Sequence, residues 1–193
     1  MKKIIPYGKQ NITQDDIEAV VEILKSDFLT QGPKVKEFEG KFANYVGAKY
    51  ALSVNNATSG LHLSVLAMGL KENERVITTP ITFAASANCI RFAKAEVWFA
   101  DIDPNTYLLS LESVRSLLES KPKGFFKGII PVDFAGQPVD IDEIMKIAQE
   151  NNLIVIEDAA HALGSEYKGA KLGSKADMTM FSFHPVKPIT TGE

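Results

Sequence analysis

The sequence predicts an α/β domain with a mostly parallel sheet that is covered by helices on both faces. From residue 50 onward, short apolar strands alternate with helical segments, which is typical of such a sheet. Polar residues collect directly after several of these strands, at the edge where open α/β sheets bind ligands. At 193 residues the chain suits one well-buried domain. We expect that domain over residues 1–193, with a helical segment over about 1–48 and an α/β core over about 49–193.

Two helices are predicted before the sheet begins. Thr13 is a suitable N-cap for a helix that runs to about Ser26, because apolar residues recur on one of its faces. A second helix is expected after Gly32 and Pro33, and Gly47 provides a left-handed cap where it ends.

Strands and helices then alternate to the end of the chain. The strand candidates are Tyr50–Val54, Arg75–Thr78, Glu96–Phe99, Gly128–Val132, Leu153–Ile156 and Met178–Phe181. The helix candidates are Thr58–Met68, Ala84–Phe92, Leu111–Leu118 and Ile141–Asn151. Asp140 and Glu143 fit a capping box for the last of these helices.

Composition and charge exclude several classes of protein. A net charge of -3 gives no basic field for a nucleic-acid backbone. No apolar run approaches the roughly 20 residues that cross a bilayer, and Met1–Pro6 lacks the apolar stretch of a signal peptide, so a cytoplasmic protein is expected. Cys89 is the one cysteine, which excludes an intrachain disulfide, and it is expected to pack as a small hydrophobe.

A lysine near the end of the chain is the most informative residue. Lys187 follows an apolar strand and stands between Val186 and Pro188, while another strand delivers Asp158 at its carboxyl end. A lysine sheltered from water has a lowered pKa and becomes nucleophilic toward carbonyls, whereas a buried aspartate requires a cationic partner. Pyridoxal phosphate satisfies both demands, since its aldehyde takes the lysine and its ring nitrogen takes the aspartate.

A phosphate seat is expected at the start of the helix that follows Asn56. Small residues there leave backbone amides unpaired, and the hydroxyls of Thr58 and Ser59 add donors. Ser182 is close enough to Lys187 in sequence for its hydroxyl to hold the same phosphate. Ordinary helix capping is the alternative explanation of this segment. Neither a Walker loop nor a G-x-G-x-x-G fingerprint occurs in the chain, which disfavours ATP and dinucleotides.

Phe83 and His161 are expected to lie beside the flat ring. Phe83 follows a strand end, where an aromatic face can stack on a ligand, although a place in the core explains it equally well. Ala159 and Ala160 are small enough to let a planar ring approach, with His161 near a ring substituent. The alternatives are a capped loop with a satisfied histidine, or a metal site on Asp158 and His161 that lacks a clear third ligand.

Taken together, these segments resemble the sugar-nucleotide aminotransferases of the DegT/DnrJ/EryC1/StrS family, a branch of the fold-type I pyridoxal-phosphate enzymes. The resemblance covers essentially the whole chain and rests on five ordered motifs, Leu29–Gly32, Asn56–Ser59, Thr79–Phe83, Asp158–His161 and Phe181–Lys187. It implies the large, cofactor-binding domain of that fold.

The resemblance implies a role for each site residue by position. Lys187 would be the Schiff-base lysine, Asp158 the partner of the ring nitrogen and Phe83 the stacking ring. The other cofactor-binding positions would be Thr58, Ser59 and Ser182 for the phosphate and His161 for the cofactor hydroxyl.

The resemblance also implies a reaction and its partners. Glutamate would donate an amino group to the C4 ketone of a nucleotide sugar. The segments around Ser165 and over His184–Thr191 are most similar to the branch that serves pseudaminic acid biosynthesis, whose substrate is a UDP-linked 4-keto-6-deoxy-N-acetylhexosamine. Another nucleotide 4-keto-6-deoxy sugar is the alternative. A homodimer with shared active sites is expected.

The chain departs from the family pattern at its end. It stops at Glu193, inside a motif that continues in the family, so we interpret it as truncated and expect the small C-terminal domain to be absent from it. A catalytically inactive remnant that binds a nucleotide sugar or dimerises is therefore a further alternative. A related dehydratase class is disfavoured, because it carries histidine in place of Lys187.

Overall fold

The computed structural model describes residues 8–192, so the expectations for Met1–Pro6 and for Glu193 lie outside the described part. The helices are α1 (Gln14–Leu24), α2 (Pro33–Val46), α3 (Ala57–Ala67), α4 (Ala85–Phe92), α5 (Leu111–Glu119) and α6 (Ile141–Asn151). The strands are β1 (Arg75–Thr78), β2 (Glu96–Phe99), β3 (Gly128–Ile130), β4 (Ile154–Asp158), β5 (Glu166–Tyr167), β6 (Ala170–Lys171) and β7 (Met178–Met180).

The main sheet has five strands in the order β2-β1-β3-β4-β7, and every neighbouring pair is parallel. The prediction of a mostly parallel sheet is confirmed. Parallel strands end at one edge of the sheet, and here the register sets Asp158 of β4 opposite Met180 of β7. The segments that follow β4 and β7 are therefore neighbours.

Helices cover both faces of this sheet, as predicted. Successive strand residues point to opposite faces, and the two apolar clusters divide the strand residues accordingly. One cluster joins α3 and α4 to Val76, Ile130 and Ile156, which are fully buried. The other joins α5 and α6 to the alternate strand residues Ile77, Ile129 and Val155. Each such side chain contributes about 1.5–3 kcal/mol by leaving water, so both layers stabilise the sheet.

Local capping determines where the helices begin and end. Thr13 caps α1 through a reciprocal box with Asp16, and Gly47 ends α2 in the left-handed region with φ +72°. The box predicted for α6 forms only in part. Asp140 accepts from the backbone N–H of Glu143, but the Glu143 carboxylate bonds to Arg115 at 3.1 Å instead of returning to the cap.

The predicted strand at Tyr50–Val54 is wrong. This segment pairs with no strand of the described chain, and Leu52 is 85% exposed. Instead, the backbone N–H of Ser53 donates to the carboxylate of Glu39 at 2.8 Å. Alternating apolar residues indicate an extended backbone, but they do not supply a neighbouring strand with a free edge.

The strand predicted at Gly128–Val132 ends two residues early. Pro131 follows Ile130, and proline has no N–H to donate to a sheet ladder. Val132 nevertheless forms an isolated bridge with Asp158, which keeps the chain alongside the end of β4.

None of the helices within residues 8–192 combines the length and the hydrophobicity that a transmembrane helix requires.

Candidate functional site

Asp158 lies buried at the carboxyl end of β4, with only 4% of its surface exposed. Its Oδ2 accepts a hydrogen bond from the Ser86 hydroxyl at 2.6 Å, and its Oδ1 accepts one from the backbone N–H of Ala160 at 3.2 Å. No lysine, arginine or histidine in the described chain forms an ion pair with it. A buried carboxylate with two hydrogen bonds and no ion pair within the described chain is chemically suited to a cationic ligand.

Lys187 lies in the loop after β7, and β7 is the strand that pairs with the Asp158 end of β4. Its backbone N–H donates to the carbonyl of His184 at 2.9 Å, which forms a turn, and the side chain is half-buried. Burial lowers the pKa of the Lys187 amine, and the negative charge of Asp158 opposes this shift. Among residues 8–192, Nζ has no hydrogen bond or ion pair. Most surface lysines are fully solvated or paired with a carboxylate, and Lys187 is neither within the described chain.

His161 follows Asp158 by three residues and shares the same surroundings. Its Nδ1 accepts from the backbone N–H of Ala135 at 3.3 Å, so in the neutral ring the proton is on Nε2. Burial lowers the pKa of His161, the Lys187 cation lowers it further, and Asp158 opposes both. Since both charges act on the imidazole, Asp158, His161 and Lys187 belong to one electrostatic neighbourhood.

The start of α3 faces the same edge of the sheet. Helix α3 leads directly into the amino end of β1, so its own first turn lies where the strands end. Asn56 caps this turn by accepting from the backbone N–H of Ser59 at 2.8 Å. The side chains of Thr58 and Ser59 are half-buried, and in the described chain their hydroxyls make no hydrogen bond. The turn thus combines free donors with the positive end of a helix.

Gly60 lets α3 approach β7 closely. A Cβ at this position would come within 2.1 Å of Met180 Cε and 3.2 Å of Val54 Cγ2, so a larger residue would require these side chains to move. Met180 lies two residues before Ser182, which is buried and accepts from the backbone N–H of His184 at 3.4 Å. This packing brings the α3 start and the β7 loop to one region.

Phe83 lies between β1 and α4 with 72% of its surface exposed, so the alternative of a core position is wrong. Its carbonyl accepts from the backbone N–H of Ser86 at 3.2 Å, which fixes the turn that presents the ring. The ring face is open to a ligand.

The alternative of a metal site on Asp158 and His161 has no third ligand among the described residues. Within residues 8–192, no group of three or more histidine, cysteine, aspartate or glutamate side chains is arranged to hold a metal ion. His62 instead contacts the ring of Phe92, with 5.3 Å between centroids. Cys89 is buried as expected, its thiol donates to the Ser86 carbonyl at 3.2 Å, and burial raises its pKa to about 12.

Sequence reasoning missed the polar residues behind Asp158. Ser86 is fully buried in the first turn of α4, yet it is 72 residues from the carboxylate that it contacts. Asp133 and Glu157 are also buried, and no local pattern marked them. The backbone N–H of Asp133 donates to the Asp158 carbonyl at 3.0 Å, so the burial of both acids depends on a contact between remote segments, which no short motif encodes.

The family model for DegT/DnrJ/EryC1/StrS aminotransferases matches residues 10–193. The chain belongs to this family. A Campylobacter jejuni relative, named UDP-4-amino-4,6-dideoxy-N-acetyl-beta-L-altrosamine transaminase, is 50% identical over 192 residues, which are 98% of this chain and 50% of the relative.

Solved structures of the same family have the same fold. Helicobacter pylori PseC, described as an aminotransferase in the biosynthesis of pseudoaminic acid, superposes with a TM-score of 0.90 at 35% identity, over 99% of this chain and 51% of PseC. The PLP form of the sugar aminotransferase Spr1654 from Streptococcus pneumoniae gives a TM-score of 0.91 at 33% identity, over 98% of this chain and 51% of that structure. The chain therefore spans about half the length of the relatives that it matches.

Proposed function

We propose that this chain forms the cofactor-binding half of a pyridoxal-phosphate-dependent sugar-nucleotide aminotransferase. One observation carries the proposal. Within residues 8–192, a half-buried lysine of lowered pKa with no hydrogen-bond or ion-pair partner follows β7, and a buried aspartate with no ion pair ends the adjacent strand β4. The residue roles below, and the division into a helical segment over about 1–48 and an α/β core over about 49–193, are parts of the same proposal.

The residues present fit pyridoxal phosphate. Asp158 carries two hydrogen bonds and no cation in the described chain, which suits a protonated ring nitrogen as its partner. Thr58 and Ser59 lie at a helix start, and their hydroxyls have no hydrogen-bond partner among the described residues. Ser182 lies buried beyond β7, and together these groups suit a phosphate. The open face of Phe83 suits a flat aromatic ring.

Bound pyridoxal phosphate would supply an aldehyde that takes up amino groups and a ring that accepts an electron pair. Lys187 would hold the aldehyde carbon through Nζ, and its lowered pKa increases the fraction of neutral, nucleophilic amine. When Nζ is free, it would accept the proton from the α-carbon of the amino donor and return it. Asp158 would keep the ring nitrogen protonated, and His161 would stay neutral and donate from Nε2, since burial lowers its pKa.

We propose glutamate as the amino donor and the C4 ketone of a UDP-linked 4-keto-6-deoxy-N-acetylhexosamine as the acceptor. The named activity of the C. jejuni relative and the pathway given for H. pylori PseC support this sugar class. Another nucleotide 4-keto-6-deoxy sugar remains the alternative. A homodimer with shared active sites and a cytoplasmic location complete the proposal.

Covalent trapping tests the role of Lys187. Purified protein would be incubated with pyridoxal phosphate, reduced with borohydride, digested and examined by mass spectrometry. We expect the cofactor mass on the peptide that contains Lys187, and we expect glutamate to be converted to 2-oxoglutarate in a single turnover before reduction. Lys187→Arg keeps the positive charge but cannot bond the aldehyde, so the adduct should be lost.

Lys175→Arg is the matched control, because Lys175 is also partly exposed but already paired with Asp142. It should leave the adduct on Lys187 unchanged. Absence of any adduct in the unaltered protein, or equal labelling of several surface lysines, would contradict the proposed function and favour an inactive remnant.

A further inference from the structure

Ser86 connects two parts of the site that are remote in sequence. It is fully buried in the first turn of α4, and its Oγ lies 2.6 Å from Asp158 Oδ2 on β4. The same Oγ lies 2.7 Å from the Thr82 hydroxyl, in the loop that presents Phe83. A chain of three polar groups therefore runs from the β1–α4 loop to the buried carboxylate.

The direction of this chain follows from proton counting. A serine hydroxyl has one proton and can also accept. The Ser86 proton can go to Asp158 at 2.6 Å or to the Phe83 carbonyl at 3.3 Å, and the shorter bond to a charged acceptor is the stronger one. Ser86 Oγ must then accept from Thr82 at 2.7 Å, which is also shorter than the alternative bond from Thr82 to the Phe83 carbonyl at 3.2 Å.

We propose that Ser86 is a positioning residue for Asp158, and that Thr82 supports it. This inference rests on the proposed cofactor. Ser86 holds Oδ2 while the Ala160 N–H holds Oδ1, so the carboxylate plane cannot rotate and its remaining lone pairs keep one orientation. That fixed orientation is what a protonated ring nitrogen requires of its acceptor.

The same turn also sets the spacing of the site. Ser86 donates its backbone N–H to the Phe83 carbonyl, and it donates its side-chain O–H to Asp158. The exposed Phe83 ring and the buried carboxylate are therefore tied to one residue. A loss of the hydroxyl leaves Oδ2 buried without a donor, so the carboxylate is free to rotate. This rotation would weaken the hydrogen bond between the carboxylate and the protonated ring nitrogen.

The test compares the unaltered protein with Ser86→Ala, Ser86→Thr and Thr82→Val. Binding of pyridoxal phosphate would be titrated by absorbance, and the protonation of ¹⁵N-labelled ring nitrogen would be followed by NMR across a pH series. We expect Ser86→Ala to weaken binding about tenfold or more, as for the loss of a hydrogen bond to a charged group, and to release the nitrogen proton at lower pH. Ser86→Thr keeps a hydroxyl and should restore both properties.

Thr82→Val keeps the shape and removes only the supporting donor, so its change should be in the same direction but smaller. It also provides the test if Ser86→Ala does not fold, which thermal unfolding without cofactor would reveal. A folded Ser86→Ala protein, or a Thr82→Val protein, with unaltered affinity and an unaltered nitrogen signal would overturn the positioning role. Failure of the unaltered protein itself to bind the cofactor would instead overturn the proposed function, and this role with it.

Discussion

At the scale of single residues, Asp133 and Glu157 form a buried acid pair behind the candidate site. Each has one oxygen with a donor, since the Val139 N–H donates to Asp133 at 2.9 Å and the Thr179 hydroxyl donates to Glu157 at 2.9 Å. Among the described residues, Asp133 Oδ2 and Glu157 Oε1 have no hydrogen-bond partner. Burial, reinforced by the charge of Glu157, raises the pKa of Asp133 to about 8. Burial likewise raises the pKa of Glu157, opposed by Thr179.

This pair makes the stability of the fold depend on pH. Between the ordinary aspartate pKa of 3.8 and the raised value of about 8, the folded chain keeps a proton that the unfolded chain has released. The unfolding free energy therefore falls as pH rises through that window, by about 1.4 kcal/mol per pH unit for one proton. The stabilisation of the folded state by this bound proton is complete below the unfolded pKa of 3.8, and it is lost as pH rises through the folded pKa of about 8.

Asp133→Asn should flatten this dependence. The amide keeps an oxygen for the Val139 N–H and does not titrate, so the slope of unfolding free energy against pH should decrease between about pH 5 and pH 8. Urea unfolding at a series of pH values measures it. Asp142→Asn is the control, because Lys168 and Lys175 lower the pKa of this exposed acid to about 2 and it does not titrate in that range. An unchanged slope in Asp133→Asn would contradict the assignment of this proton to Asp133.

At the scale of secondary structure elements, the first turn of α3 serves both folding and binding. Asn56→Ala removes the cap on the Ser59 N–H and should lower the unfolding free energy by about 1 kcal/mol. Asn56→Asp keeps the capping oxygen and suits the helix dipole, so stability should be preserved. Its added negative charge should nevertheless weaken pyridoxal phosphate binding, because the phosphate would sit on the same turn.

The measurements are urea unfolding and cofactor titration of each variant. Ser110→Asp is the matched control, since Ser110 caps α5 by accepting from the Ser113 N–H and plays no part in the candidate site. Cofactor affinity in Asn56→Asp equal to that of the unaltered protein would mean that the phosphate lies elsewhere.

Most elements could be predicted from the sequence because their signals are local. Caps such as Thr13 and Gly47, and alternation of apolar strands with amphipathic helices, depend on neighbours within a few residues. The β5–β6 hairpin was not predicted. Its turn places both Lys168 and Gly169 at positive φ, and lysine is a weak signal for such a turn compared with asparagine or aspartate.

The residues of the candidate site also fall into two groups, those that local sequence indicates and those that only the packing of the sheet determines. Asp158 and Lys187 stand out because each follows an apolar strand in an unusual polar setting, so the sequence alone indicates them. The Ser86 hydrogen bond and the burial of Asp133 depend on which strands become neighbours, and that is decided by the packing of the whole sheet. Tyr50–Val54 shows the same limit, because its alternation could not reveal that no described strand would pair with it.

At the scale of the whole molecule, helix α1 contributes no residue to the two apolar clusters that cover the faces of the sheet. This helix has no buried residue, and the apolar side chains on its predicted face are exposed, at Ile17, Val20, Val21 and Leu24. The two apolar clusters on the sheet and the candidate site are instead built from residues between α3 and the loop after β7, and α2 buries Ala43 and Val46. The chain spans about half the length of its relatives. The residues that we propose to hold the cofactor, from Thr58 to Lys187, all lie in the part of the chain between α3 and the loop after β7.

A crystal structure of the protein with pyridoxal phosphate would test whether Lys187 and Asp158 bind opposite ends of one cofactor. We expect continuous density from Lys187 Nζ to the cofactor, the ring nitrogen about 2.7–3.2 Å from Asp158, and the phosphate on the first turn of α3 beside Ser182. Density for the cofactor away from β4 and β7, or a ring nitrogen turned away from Asp158 while Lys187 points into solvent, would contradict it.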